Sequence, residues 1–321
     1  REYVYTQYDH QVQTNTVIPP GGDASLIRIK GTQKALAAST DGNSRFSYLD
    51  PYIGAKIAVA EACRNISCTG AEPIAITNCL NFGNPQKPEV YYQLDKSVSG
   101  ISDMSLEFNA PVISGNVSLY NETQDSSIFP TPVIGAVGLL QNVENHCGSA
   151  FENQNDLVFL LGTNTIDLNL EYFAGSEFLE LIHNKIEGSP EINIALEIIL
   201  QKTCRELIAS NLLNSCHDCS EGGLAIAIAE SAILGNKGFV ANFELNERWD
   251  SALFGEKQSR VVISFHPSNL DEILSICNRF SLPFFELGKV SSNRFKMSEF
   301  IDLNIEEISN VWKTTLLNEL N

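Results

Sequence analysis

The sequence predicts an α+β protein, helices layered on sheets, in two successive α/β domains. Three observations carry this. The chain has 321 residues, more than one typical core holds and about right for two domains. Short apolar runs bounded by Gly, Pro, Asn and Asp alternate with helical stretches along its length. No strand runs into a G-x-G-x-x-G turn, which sets aside a dinucleotide fold. The polar stretch 141–155, with four Asn, places the boundary: an N-terminal arm over 1–22, a first domain over 23–143 and a second over 144–321.

Composition narrows the function. Hydrophobic residues make up 43% and charged residues 19%, as in ordinary globular proteins, and the net charge is -18. That charge repels nucleic acid and anionic membranes, so a phosphate ligand would need local amides, a few cations or a metal. No apolar run reaches membrane-spanning length and no signal peptide is apparent; the chain opens Arg1-Glu2-Tyr3, as a fragment or processed product would. Eight scattered cysteines in a chain of this size suggest reduced thiols and a cytoplasmic protein. Cys216 and Cys219 have C-x-x-C spacing, but no second Cys/His pair accompanies them for zinc. The N-x-[ST] sequons at Asn65, Asn116 and Asn121 read as chance matches without a secretory signal.

In the first domain, Pro19-Pro20-Gly21-Gly22 ends the arm, and Ser25 to Lys30 and Ala35 to Ser39 read as strands around Gly31. Asp50-Pro51 starts a helix, with Asp as N-cap and Pro at the first helical position, and Gly70 stops it. Its Ala-rich face packs closely, which leaves Lys56, Glu61 and Arg64 as a wet face. Pro73 to Leu80 reads as a buried strand with Asn78 near its end, where open sheets commonly meet ligands. From Pro88 a long helix carries Tyr91, Leu94, Val98, Ile101 and Phe108 as a core stripe.

The organising stretch is PVISGNVSLYNE, residues 111–122. Pro111, Val112 and Ile113 read as a buried strand, and Gly115 permits either positive φ or close approach of backbone to a ligand. Asn116, Ser118, Asn121 and Glu122 offer hydrogen bonds with one formal charge, suited to a hard cation or a phosphate rather than to nucleophilic attack. A polar turn between two strands explains the same letters, and spacing alone leaves both open. VIGAVGLL, 133–140, is the domain's last strand.

The second domain reads as a strand Leu157 to Leu161, helices from Ser189-Pro190 and from Ser220, a strand Phe239 to Leu245, a short helix, a strand Arg260 to Phe265, a helix near Leu270 to Phe280, a strand Pro283 to Leu287 and a terminal helix from Asn304. Asp218 and Glu221 have capping-box spacing, and Gly222-Gly223 would leave first-turn amides open to a phosphate. A well-capped packing helix explains these residues as readily. His217 lacks an obvious orienting partner and is a poor catalytic base.

YLDPYIGAKIAVAEACRN, TGAEPIAITNCLNFGNPQKPE, PVISGNVSLYNE with IFPTPVIGAVGLL, and HDCSEGGLAIAIAE stand in this order along the chain. Together they resemble the phosphoribosylformylglycinamidine synthase family, large subunit, of the aminoimidazole ribonucleotide synthetase superfamily, over nearly the whole chain and only with the family's second half. The resemblance implies an N-terminal and a C-terminal α/β domain of that superfamily. It also implies an ATP-dependent carbon-nitrogen ligase of purine biosynthesis that converts formylglycinamide ribonucleotide and ammonia to the amidine, with magnesium aligning the phosphates. Its implied partners are the N-terminal half of the same enzyme and a glutaminase supplying ammonia, in an oligomer. The family's catalytic His-Asn-His lies in the first half and has no match here, so no catalytic residue is expected in this chain. By resemblance Asn78 and Gly115 would contact ATP, Asn116 would ligate magnesium and Ser118 would touch the ribonucleotide. Asn78 stands where the family has aspartate, which removes a charge. Asp218 would be a candidate for a pseudo-symmetric nucleotide or metal site. The rival expectation is a non-catalytic degenerate repeat that holds a structural nucleotide or scaffolds a dimer.

Overall fold

A computed structural model describes residues 2–124, 126–166, 169–245 and 248–320. In chain order the elements are α1 (Glu2–Tyr5), β1 (Thr16–Ile18), β2 (Ser25–Arg28), β3 (Ala35–Asp41), α2 (Ser44–Leu49), α3 (Pro51–Cys68), β4 (Glu72–Asn81), α4 (Pro88–Glu107), β5 (Val112–Ser118) and β6 (Thr131–Leu140). There follow β7 (Leu157–Leu161), α5 (Glu177–His183), α6 (Ile194–Ala209), β8 (Ser215–Asp218), α7 (Gly223–Gly235), β9 (Gly238–Ala241), α8 (Trp249–Phe254), β10 (Val261–Phe265), α9 (Leu270–Arg279), β11 (Phe284–Ser291), β12 (Arg294–Met297), β13 (Ile301–Asn304) and α10 (Ile305–Leu320). Among these residues the strands form two sheets, ordered β1-β2-β3-β6-β4-β5 and β13-β12-β9-β11-β7-β10-β8. The α+β class holds, and no helix among the described residues is long and apolar enough to cross a membrane.

The first sheet is covered on one side only. Along β3 and β6 burial alternates strictly, and Leu26, Ala35, Ala37, Ile76, Leu80, Ile134 and Ala136 turn inward under α3. This is the signature of a half-buried antiparallel sheet. α3 begins as its letters require: Asp50 accepts from the backbone N–H groups of Tyr52 and Ile53, each at 3.0 Å, with Pro51 at the first position. Gly100 of α4 lets the two helices touch, since a Cβ there would lie 2.4 Å from the Tyr52 carbonyl oxygen. In the second domain β7, β8 and β10 are buried throughout, so the apolar runs of β7 and β10 do not alternate.

Several expectations are corrected. α2, capped by Asn43, is a helix the sequence did not announce. The arm contributes α1 and β1, and β1 pairs with β2. Of the α4 stripe Ile101 is buried and Leu94 and Phe108 pack against the core, but Tyr91 and Val98 are exposed; Val90, Ser97, Gly100 and Met104 are buried as well, because the small residues meet α3. α6 and α7 start at Ile194 and Gly223, a few residues beyond their signals, and β9 ends at Ala241. The hairpin β12–β13 adds two strands the sequence did not announce.

Candidate functional site

The organising stretch is a strand rather than a loop. Gly115, Asn116 and Ser118 lie within β5, which pairs in parallel with β4 through Asn78↔Gly115, Cys79↔Asn116 and Asn81↔Ser118. β5 is the edge of the sheet, and this corrects its expected burial: Val112 is 41% and Ile113 67% exposed. An edge strand has a neighbour on one side alone, so its apolar letters do not imply a core position.

Register then sorts the expected site residues. Ladder rows run Val133–Cys79–Asn116 and Thr131–Asn81–Ser118, so Asn116 and Ser118 project from the uncovered face of the sheet. Asn116 Nδ2 leans on Cys79 Sγ at 3.6 Å, and among the described residues its Oδ1 takes no bond. Ser118 Oγ lies 3.1 Å from Asn121 Nδ2, which also donates to the Phe82 carbonyl at 3.1 Å. Glu122 accepts from Lys87 Nζ at 2.8 Å and Ser127 Oγ at 3.0 Å, and the Lys87 bond holds its carboxyl below the usual range. Asn78 points the other way, into a cavity of about 480 Å³ beside Val98, Ile101 and Ser102 of α4. Gly115 leaves room there for the Asn78 amide. Its φ is not positive, but a Cβ would come within 2.3 Å of Asn78 Oδ1. Of the two roles glycine allowed, close approach is the one realised, and the approaching group is Asn78. Asn116 and Ser118 are thus brought together, Gly115 borders them by its backbone, and Asn78 is separated from them by the sheet itself.

A magnesium ion needs about six oxygen ligands. Asn116 offers one amide oxygen, and among the described residues no three His, Cys, Asp or Glu side chains are gathered to hold a metal. The strand pair fits a contributed ligand, not a complete cation site.

A second polar region lies where the two domains meet, and sequence reasoning misread it. Lys56, Glu61 and Arg64, expected on a wet face, are all buried, and Arg64 is fully so. Its guanidinium bonds Asp218 Oδ1 through Nε, Glu197 Oε1 at 2.9 Å, Glu61 Oε2 at 3.3 Å and Gln258 Oε1 at 3.2 Å. Asp218 therefore pairs with Arg64 and does not cap α7, whose N-cap is Gly222 at φ 78. Burial alone would lower the Arg64 pKa, but Asp218, Glu197 and Glu61 outweigh it and hold the group charged. His217 has the partners it was thought to lack. Nδ1 meets Asp23 Oδ1 at 2.5 Å and Nε2 meets Glu230 Oε2 at 3.2 Å; against the effect of burial, these carboxylates raise the ring's pKa well above its ordinary value.

These groups border an acidic pocket of about 700 Å³ lined by Asp23, Asp41, Glu61, His217, Glu221 and Glu230 among others. Burial first, then Glu221, pushes Asp41 up to about 7, and burial raises Asp218 to about 6 despite Arg64. Of these two, Asp41 lines the pocket, and its burial favours the protonated form. Cys216 and Cys219 are buried free thiols, as are five more of the eight cysteines, and neither belongs to a metal cluster among the described residues. The sequence marked Asp218, Glu221 and His217 here but not Arg64, two of whose carboxylate partners lie 133 and 154 residues away.

Comparison with known proteins agrees with this architecture. The model of AIR synthase related protein, N-terminal domain, matches residues 21–140, and that of the C-terminal domain matches 153–297. Phosphoribosylformylglycinamidine synthase subunit PurL of Caldanaerobacter subterraneus subsp. tengcongensis is 44% identical over 318 residues, 98% of this chain and 43% of the relative. PurL of Alkaliphilus metalliredigens is 44% identical over 321 residues, again 43% of its length. The chain thus spans less than half of the curated relatives it matches. Among solved structures, T. maritima PurL complexed with AMPPCP superposes with TM-score 0.64 at 26% identity, covering 90% of this chain and 41% of that one. T. maritima PurL complexed with ATP gives 0.71 at 18% identity over 95% and 49%, a likeness of fold. With both domain models matched in order and PurL subunits as its relatives, the chain belongs to the AIR synthase related family.

Proposed function

We propose that this chain is the second half of a phosphoribosylformylglycinamidine synthase, one part of an ATP-dependent ligase that forms formylglycinamidine ribonucleotide from formylglycinamide ribonucleotide and ammonia. The observation that carries the reading is the 44% identity to PurL over 98% of the chain, whereas the match covers 43% of PurL itself. In this reading the uncovered face of the first sheet meets the other half. Ile27, Leu36, Val137 and Leu139 give that face an apolar patch, and Asn116 and Ser118 stand on the same face beyond it. Docking there would bury the patch and enclose the β5 edge.

The roles follow from what each group offers. The Gly115 backbone, unencumbered by a Cβ on an edge strand, borders the ATP phosphates. Asn116 gives Oδ1 as one ligand of magnesium, which supplies charge neutralisation at the phosphates when bound. Ser118, held by Asn121, faces the ribonucleotide. Asn78 acts through Gly115, against which its amide sits. The carboxylates that complete the metal site, and the catalytic base, belong to the first half. A glutaminase partner, a cytoplasmic location and an oligomeric assembly complete the reading; the buried free thiols accord with a reducing compartment.

The test is complementation. Alone, the chain forms no amidine from ATP, magnesium, ammonia and formylglycinamide ribonucleotide; mixed with the remaining part of a PurL relative, it restores turnover. Turnover by the chain alone at the rate of the complete enzyme refutes the reading.

A further inference from the structure

Between the domains lies a second cavity, of about 520 Å³, which shares no lining residue with the β4–β5 pair. Its floor is apolar, from Phe46, Ile53 and Ile57 of the first domain, and the segment carrying Tyr172 and Ile192 covers it. At its polar end stand Glu256 and Ser259, which are 5% and 1% exposed. Both keep a buried polar atom without a partner, Glu256 Oε2 and Ser259 Oγ. A buried oxygen without a partner is costly, and two at one cavity end mark a place shaped for something that bonds them.

We propose that this cavity binds an uncharged or cationic organic molecule of nucleoside size carrying N–H or O–H donors. The volume suits such a ligand, and apolar walls with a few convergent polar groups are the usual make-up of small-molecule sites. Charge excludes a phosphate. Glu171 and Glu191 line the cavity against one cation, Lys257, whose Nζ already lies 4.7 Å from the Tyr172 ring centroid, and Glu256 adds no positive charge in either protonation state. Glu256 is fixed in place: Oε1 accepts from the Glu177 and Gly222 backbone N–H groups, each at 2.8 Å, which leaves Oε2 for the ligand.

Occupancy would be felt in the acidic pocket. Glu177 and Gly222, held by Glu256, line that pocket, and Arg64 Nη2 donates both to Gln258 of this cavity and to Glu61 of the other. A ligand on Glu256 therefore acts on groups common to two walls.

The experiment is calorimetric titration of the full chain with adenosine as the uncharged probe and adenosine monophosphate as its anionic twin. Adenosine is expected to bind saturably at millimolar concentration or below, the monophosphate at least tenfold more weakly, with the Gly222 amide resonance shifting on adenosine binding. Ile57→Trp should weaken adenosine at least tenfold; since Ile57 is buried, Ile192→Trp at the half-buried cover repeats the block where the first variant fails to fold. Both Trp variants lie outside the β4–β5 pair, so loss of adenosine binding in them separates this site from the proposed ATP wall. No binding of adenosine, equal binding of the monophosphate, or wild-type binding by the folded Trp variants overturns the proposal.

Discussion

The β4–β5 edge and the Arg64 cluster are opposite ways of placing polar groups. At the edge, Asn116 is exposed and has an unbonded acceptor, and the face around it is shallow and carries no metal cluster among the described residues. In the cluster, Arg64 is wholly buried and touches four side chains from α3, α6, β8 and the 256–259 segment. The first arrangement leaves an acceptor open to solvent; the second gathers one cation and three carboxylates from both domains, though Glu197 Oε2 and Asp218 Oδ2 stay buried without a partner. Exposure with an open acceptor is what the proposed binding wall offers, whereas burial around one guanidinium is what ties the domains together.

The largest expected effect breaks the cluster. Arg64→Ala leaves Asp218 and Glu197 buried without their cation and should cost about 3–5 kcal/mol, read as a fall in the urea midpoint at unchanged m. Arg64→Met, of similar length, should be nearly as damaging because the carboxylates remain. A change below about 1 kcal/mol would mean the cluster is not what holds the domains.

Asn116→Ala should do the reverse. Being exposed, it should leave the urea midpoint within about 0.5 kcal/mol, yet lower amidine formation by the reconstituted enzyme about 100-fold if the amide ligates the metal. Next, Gly115→Ala drives a methyl into Asn78 and should destabilise by about 1–2 kcal/mol. The double variant Asn78→Gly, Gly115→Ala should recover most of that, since it removes the clash. Without recovery, the glycine would be serving something other than Asn78.

The smallest effect is titration. Asp41, Asp218 and Glu256 keep their protons to about 7, 6 and 7 in the folded chain, chiefly through burial, against roughly 4 when unfolded. The folded state then holds more protons between pH about 4 and 7, so stability falls as pH rises through that window. His217 acts in the same sense: its contribution is complete below pH about 6.5 and is lost as pH climbs through its raised folded value. The thermal midpoint should drop by roughly 5 °C from pH 5.5 to 8, and less in Asp41→Asn. A rise over that range contradicts the raised carboxyl values.

These outcomes also explain what could be read from letters. Asp50-Pro51 announced α3 because capping is local, and Leu157 to Leu161 announced β7 because a run buried on both faces needs no context. Arg64 was illegible for the opposite reason. A cation in an Ala-rich helix reads as solvated until distant Glu197 and Asp218 are brought to it. Likewise Val112 and Ile113 read as buried, since apolar letters do not say whether a strand is central or an edge. The residues Gly115, Asn116 and Ser118 stood out by resemblance; their division from Asn78 across the sheet follows from register, which the sequence does not print.

The central claim is that the β5 face is one wall of a site completed by another polypeptide half. Titration of ATP with magnesium into this chain, into the remaining part of a PurL relative and into their mixture tests it most directly. The account predicts binding in the mixture that exceeds either part by at least tenfold and is lost in Asn116→Ala. Equal binding by this chain alone, indifferent to Asn116→Ala, would contradict it.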